Sequence, residues 1–279
     1  MKGKVYLVGA GPGDPELLTL KALRLLQTAE VVLHDSLVGP EILRFIRPAA
    51  HMHNVGKPRG NKNVRQEEIN FLMVALAGSG RSVVRLKGGD PLIFGRAAEE
   101  IEALRRAGIP YEVVPGVTSA LGAAAAAAIP LTHRQVSSAL VLITAHQAAG
   151  KDPADWSKLA ASGATLVIYM PGRDYSAIAA RLQAAGLARE TPCAVISQAT
   201  TPSQRTYRTT VGDLPHAPQM PAPALLVVGE VVRFGDSALL APEFAAAAIS
   251  QIADAAFHVP CSFAAEGRRQ ATTDAGAKL

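Results

Sequence analysis

The segment RLKGGDPLIFGR, Arg85 to Arg96, limits the possible folds more than any other stretch of the chain. An apolar run that reads as a strand, SVVRL (82–86), enters Gly88-Gly89-Asp90-Pro91, and a helical pattern follows soon after. A strand, a tight turn and a helix are the repeating unit of α/β sheets, where ligands collect beyond the carboxyl ends of the strands. Two glycines at that turn carry no Cβ, so the backbone can come close to a ligand. Asp90 adds a carboxylate, and Pro91 fixes the direction in which the chain leaves. Taken alone, GGDP is equally a plain strand-to-helix turn.

The same alternation fills the first part of the chain. KVYLVG (4–9), VVLH (31–34), a short piece over 53–55, SVVRL and YEVV (111–114) read as strands. Asp14 as N-cap and Pro15 at the first helical position open the first helix. Leu17, Leu18, Leu20, Leu23, Leu25 and Leu26 give that helix a broad apolar face. Further helices are expected over 40–46, 66–77 and 94–107, the last stopped by Gly108. Five strands joined in this way predict a largely parallel sheet.

Pro115-Gly116 marks a lobe boundary. Thr118 or Ser119 then caps a helix that contains Ala123 to Ala128 and stops before Pro130. Small side chains there permit close helix packing. ALVLIT (139–144), TLVIYM (165–170), CAVIS (193–197), RTYRTT (205–210) and ALLVVG (224–229) supply strands of a second sheet. The last two have no long helix between them, so an antiparallel component is expected. The expected organisation is an N-terminal α/β lobe over 1–116 and a C-terminal α/β lobe over 117–242. A helix over 243–257 and a loose polar tail complete the chain.

A length of 279 residues and a hydrophobic content of 49% suit two packed lobes. The net charge of +5 suits an acidic partner. No dense Lys/Arg stripe with interleaved aromatics occurs, which favours an anionic small molecule over nucleic acid. No apolar stretch reaches the ~18 residues needed to span a bilayer. The apolar run over 5–10 is interrupted by Gly9 and is too short for a secretory signal. Cys193 and Cys261 form no metal-type pair, and Cys193 reads as a small apolar filler in a buried strand. His34, His133 and His146 are scattered, so no metal site is expected. Together these features lead to an expected cytoplasmic, reducing location without membrane attachment.

Individual motifs carry more than one reading. GAGPGD after the first strand suggests a dinucleotide site and a nicotinamide-dependent oxidoreductase. However, Asp14 stands where that fingerprint requires glycine or alanine, and Pro12 and Pro15 remove N–H donors that would cradle a pyrophosphate. Asp35, at the end of VVLH, can accept a proton or simply shape a turn. Lys57 in VGKPRG can be functional or a solvated lysine. Met170 ends a strand and by itself reads as a core methionine. Lys57, Arg59, Lys62 and Arg65 crowd one loop, which is either a solvated face or a receiver of carboxylates; Arg85, Lys87 and Arg96 would add to the same field.

Taken in order, GAGPGDPELLT, LHDSLV, VGKPRGNKNVRQEEIN, RLKGGDPLIFGR, PGVTSALGAA, IPLTHR and ALLVVGEVV resemble the tetrapyrrole methylases over residues 4–240. The resemblance implies a two-lobed α/β fold, mostly parallel in the first lobe and mixed in the second, with the active site between them. It implies S-adenosyl-methionine as methyl donor, S-adenosyl-homocysteine as product and a homodimeric enzyme. The substrate implied is uroporphyrinogen III, methylated at carbons 2 and 7 to precorrin-2 by way of precorrin-1, for sirohaem or cobalamin formation. Another corrin-pathway C-methyltransferase or a non-catalytic tetrapyrrole carrier is the alternative. By the same resemblance Pro12, Gly88, Gly89, Asp90, Ile93, Thr118, Ser119, Met170 and Ala199 line the cofactor pocket. Asp35 and Lys57 are the implied proton acceptor and proton donor, and Arg59, Lys62 and Met170 face the substrate. A sulfonium cofactor has no phosphate to cradle, so proline- and glycine-rich turns suit it better than they suit a dinucleotide.

If the loop cations receive the carboxylates of a tetrapyrrole, neutralising Arg59 and Lys62 together will raise the Michaelis constant for the tetrapyrrole more than that for the methyl donor. Steady-state kinetics with each substrate varied in turn decide this, and equal or absent effects return the loop to solvent.

Overall fold

The computed structural model describes residues 2–56, 65–145 and 155–235. The expected helix over 243–257, the tail, Lys57, Arg59, Lys62, His146 and Cys261 lie outside the described residues. Five strands form the first sheet: β1 Val5–Gly9, β2 Val31–His34, β3 His51–Asn54, β4 Val83–Lys87 and β5 Tyr111–Val114, in the order β3-β2-β4-β1-β5. Every pairing is parallel. Central parallel strands are covered on both faces, and β2 and β4 are accordingly buried along their whole length.

Helices fill the crossovers: α1 Leu20–Thr28, α2 Pro40–Leu43, α3 Gln66–Gly78 and α4 Ala97–Arg106. Ala22 and Leu26 of α1 and Ile42 of α2 pack with Val8, Val32, Val84 and Leu86 on one face of the sheet. Ile69, Met73 and Ala77 of α3 and Leu104 of α4 pack with Val5, Leu7, Val31 and Leu33 on the other. Alternate strand residues thus serve opposite layers.

The second sheet has the order β6-β7-β10-β8-β9, from β6 Leu140–Thr144, β7 Thr165–Tyr169, β8 Pro192–Ser197, β9 Arg205–Thr210 and β10 Ala224–Val228. Only β6 and β7 pair in parallel; β10 lies antiparallel to β7 and to β8, and β9 antiparallel to β8. The expected antiparallel component is present, but β9 and β10 do not pair with each other; each flanks β8. α6 Trp156–Ala161 and α7 Ser176–Ala184, which the sequence reading did not assign, cover one face through Trp156, Ile178 and Leu182. α5 Ser119–Ala126 covers the other, with Ala120 and Ala123 set against Val167, Ala194 and Val227. Cys193 is buried in β8; burial, with Asp213 nearby, pushes its thiol up to about 12.

Two helix starts differ from expectation for identifiable reasons. Asp14 caps only a single 3-10 turn, Pro15–Leu17, by accepting from Glu16 N–H at 2.8 Å. The chain then extends at Leu18, and Thr19 caps α1 by accepting from Ala22 N–H. This second start turns Leu20 outward, 86% exposed, and sends Ala22 and Leu26 to the core. α4 begins at Ala97 rather than residue 94 because Phe94 and Arg96 have φ of 50° and 57°, left-handed values that a right-handed helix excludes.

At the carboxyl ends of β1, β4 and β5 the backbone is packed against itself. A Cβ on Gly9 would lie 2.5 Å from Gly116 N and 2.7 Å from Gly89 O. One on Gly116 would lie 2.4 Å from Gly89 O. Gly11 and Gly89 also exchange backbone hydrogen bonds of 3.2 and 2.7 Å. Gly9→Ala forces these segments apart and is expected to destabilise the protein by about 3 kcal/mol, the upper end for overpacking, because backbone rather than flexible side chain must yield. Equilibrium urea unfolding measures the loss, and a loss below about 1 kcal/mol would mean the junction is looser than described.

Candidate active site

Beside the glycine junction, Gly11 and Gly89 help to line a cleft of about 210 Å³ at the strand ends of the first sheet. Gly88, Gly89 and Asp90 form the turn after β4, and Gly11 and Pro12 the turn after β1. Thr118 and Ser119 stand at the start of α5, while Met170, Ile196, Ala199 and Leu225 come from strand ends and turns of the second sheet. Ile93 and Phe94 complete an apolar wall, and Asp35 and Leu37 close the side nearest β2. The structure therefore brings Pro12, Gly88, Gly89, Asp90, Ile93, Thr118, Ser119, Met170 and Ala199 to one cleft, with Asp35 on its edge.

Local chemistry explains how several of them are held. Asp90 Oδ1 accepts from Leu92 N–H at 2.8 Å and Oδ2 from Gly116 N–H at 3.1 Å. Its carboxylate thus shapes its own turn and ties β4 to the segment leading into α5. Thr118 occupies the N-cap position of α5, yet its hydroxyl contacts the Tyr169 hydroxyl at 2.6 Å instead of capping the helix. Tyr169 Oη also accepts from Ala120 N–H at 3.0 Å. Burial raises the Tyr169 phenol above its ordinary range, against the pull of those two hydrogen bonds. The Phe94 ring lies 4.8 Å from the Tyr169 ring, tilted by 55°.

Met170 is not a core methionine. It has φ of 52° and remains 48% exposed at the cleft wall. A left-handed residue without a glycine's freedom is a position where backbone energy is held by its surroundings, a feature concentrated at binding sites. Pro171 and Gly172 follow, the latter with φ of 76°.

Asp35 makes a turn only through its backbone, with Val38 N–H donating to its carbonyl. Its carboxylate accepts from Arg85 Nη2 at 2.5 Å. The expectation that Arg85, Lys87 and Arg96 add to a basic rim is corrected. Arg85 and Lys87 are 2% and 3% exposed and converge on the buried Glu100, whereas Arg96 pairs with Glu99 on the surface of α4. Both buried cations sit on β4, and their side chains point to the face covered by α4 and not to solvent. His34 and His133 are likewise engaged elsewhere, His34 Nδ1 lying 3.2 Å from Asp35 O and His133 stacking on Phe234.

Sequence reasoning missed Tyr169, Phe94 and Glu100. Tyr169 stands directly before Met170 at a strand end, the position that the TLVIYM motif marks for cleft residues. Glu100 offered no such signal, because a glutamate in an amphipathic helix reads as solvent-facing.

Residues 4–215 match the sequence model of the family described as Tetrapyrrole (Corrin/Porphyrin) Methylases. A siroheme synthase of Azotobacter vinelandii is 52% identical over 237 residues, covering 84% of this chain and 51% of that protein. The chain spans about half the length of the curated relatives it matches. The crystal structure of uroporphyrin-III C-methyltransferase from Thermus thermophilus is 47% identical with a TM-score of 0.70, covering 83% of this chain and 94% of that one. A further Thermus thermophilus structure of uroporphyrin-III C-methyltransferase, complexed with S-adenyl homocysteine, is 41% identical with a TM-score of 0.71 and the same coverage. With a parallel sheet beside a mixed one and a glycine-lined cleft at their strand ends, the chain belongs to the tetrapyrrole (corrin/porphyrin) methylases.

Proposed function

We propose that this chain transfers methyl groups from S-adenosyl-methionine to carbons 2 and 7 of uroporphyrinogen III, giving precorrin-2 by way of precorrin-1. The observation that carries the reading is the lining of the cleft. Its walls are apolar side chains, glycine backbone, the hydroxyls of Thr118, Ser119 and Tyr169, and the carboxylates of Asp35 and Asp90. Among the described residues no Lys, Arg or His lines it. Such a surface repels a pyrophosphate and suits a cationic sulfonium nucleoside, with apolar walls for the adenine and acceptors for hydroxyl and amino groups. This disfavours the nicotinamide reading on grounds independent of the altered fingerprint. The similarity to uroporphyrin-III C-methyltransferase over 94% of that chain supports the substrate.

Bound there, S-adenosyl-methionine supplies an electrophilic methyl group on a good leaving group. The macrocycle supplies an electron-rich pyrrole carbon, so a carbon–carbon bond forms as the carbon–sulfur bond breaks, and a proton later leaves the ring. The protein chiefly orients the two reactants, an effect that can lower a barrier by about 7–11 kcal/mol. Asp35, held at the cleft edge by Arg85, accepts the proton in this reading. Lys57 is proposed as proton donor, and Arg59 and Lys62 as carboxylate receivers. The enzyme is proposed to work as a cytoplasmic homodimer, independent of membrane and nucleic acid. No helix among the described residues is long and apolar enough to cross a membrane.

Incubation with uroporphyrinogen III and S-adenosyl-methionine should add two methyl groups by mass; an unchanged macrocycle mass leaves at most a carrier. Asp35→Asn should slow turnover far more than it weakens binding, and turnover at the original rate would remove Asp35 from proton transfer. Asp90→Ala should weaken S-adenosyl-homocysteine binding by calorimetry. It should also cost about 2 kcal/mol of stability, because Leu92 N–H and Gly116 N–H lose a charged acceptor. Unchanged affinity would leave Asp90 a purely structural role.

A further inference from the structure

Charged side chains are gathered behind the cleft, buried and not among its lining residues. Glu100 of α4 is 0% exposed. Its Oε1 accepts from Arg85 Nε at 3.0 Å, Lys87 Nζ at 3.0 Å and Gln66 Nε2 at 3.2 Å. Its Oε2 has no partner among the described residues. Arg85 and Lys87 are two apart on β4, so the pleat directs both to the face that α4 covers. Burial holds the Lys87 ammonium below the ordinary lysine range, and neighbouring Arg85 pushes it the same way against the pull of Glu100.

This is a poor arrangement for stability alone. The desolvation cost of buried ions commonly matches or exceeds their attraction, and well-packed apolar replacements are often neutral or stabilising. What the cluster supplies is orientation. A guanidinium is planar, and its donors point in fixed directions. Glu100 takes Nε of Arg85, and the carbonyls of Leu33 and Leu86 take Nη1 at 3.4 and 3.2 Å. Nη2 is left to meet Asp35. Glu100 is itself fixed by Lys87 and by Gln66, whose amide also donates to Asn70 Oδ1 at 3.0 Å.

We propose that Glu100 is a positioning residue for methyl transfer: it locks the Arg85 guanidinium, which in turn presents the Asp35 carboxylate to the cleft in one orientation. This rests on the reading of Asp35 as proton acceptor. Glu100 acts only through Arg85, so its loss misdirects Asp35 without removing any group that binds substrate.

Glu100→Gln preserves shape and removes the charge. It should lower kcat about ten- to a hundredfold, as losing the support of a reacting group does. Both Michaelis constants and the affinity for S-adenosyl-homocysteine should stay within about twofold, the signature of a loss confined to the transition state. In an Asp35→Asn background the same change should slow single-turnover methyl transfer no further. An equal loss in both backgrounds would overturn the proposal while leaving Asp35 its role. Full turnover by Asp35→Asn alone would instead overturn the reading beneath it, and the proposal with it. If Glu100→Gln does not fold, Lys87→Met/Glu100→Gln removes both charges together and allows the same comparison; a folded double variant with unchanged kcat would overturn the proposal.

Discussion

Three lengths of backbone meet at Gly9, Gly89 and Gly116 with no space for a side chain between them, and the site is built on that contact. The glycines end β1, follow β4 and follow β5, so the junction fixes three strand ends relative to one another. Asp90 reinforces it by accepting from Gly116 N–H. The chain then enters α5 at a set position, and α5 belongs to the packing of the second sheet. One close contact therefore sets both the depth of the cleft and the direction from which the second sheet reaches it. The Tyr169 hydroxyl completes the registration by contacting the Thr118 hydroxyl and accepting from Ala120 N–H.

Polar groups near the cleft follow a consistent division. Among the described residues those in the lining are acceptors and hydroxyls, while the cations Arg85 and Lys87 are kept one layer behind. Taking them out of water is tolerable because each finds a carboxylate, and charge-assisted hydrogen bonds in a water-poor layer are strong. Among the described residues this keeps fixed positive charge, which would oppose a sulfonium, out of the cleft lining, yet leaves a guanidinium in contact with Asp35.

Much of this was legible in the chain, for physical reasons that differ by element. Buried parallel strands such as VVLH and SVVRL stand out as short apolar runs because both of their faces are covered. GGDP was legible as a turn open to a ligand and PGVTSA through the family resemblance, but the backbone-to-backbone crowding of Gly89 and Gly116 was not, because glycine alone does not say what comes close to it. The break at Leu18 was hidden, since two capping residues, Asp14 and Thr19, compete and local rules do not rank them. Arg85 and Lys87 misled for a related reason: charge in a sequence implies solvent unless the opposite charge is known to be close, and Glu100 and Asp35 lie 15 and 50 residues from Arg85. Sheet order in the second half was equally invisible, because antiparallel strands of similar character carry no address for their neighbours.

That sheet order bears on how the chain is assembled as it is made. The first sheet is complete once Val114 has emerged, and its strands can close on one another at once. In the second, β10 is the last strand in sequence yet sits between β7 and β8. Until residues 224–228 are available, β7 and β8 each keep an open edge of unpaired amides and carbonyls, the kind of edge that recruits other chains. A nascent or prematurely terminated polypeptide would thus carry one finished half and one adhesive half, making the last strand of the described fold the step that renders the whole molecule safe in a crowded cell.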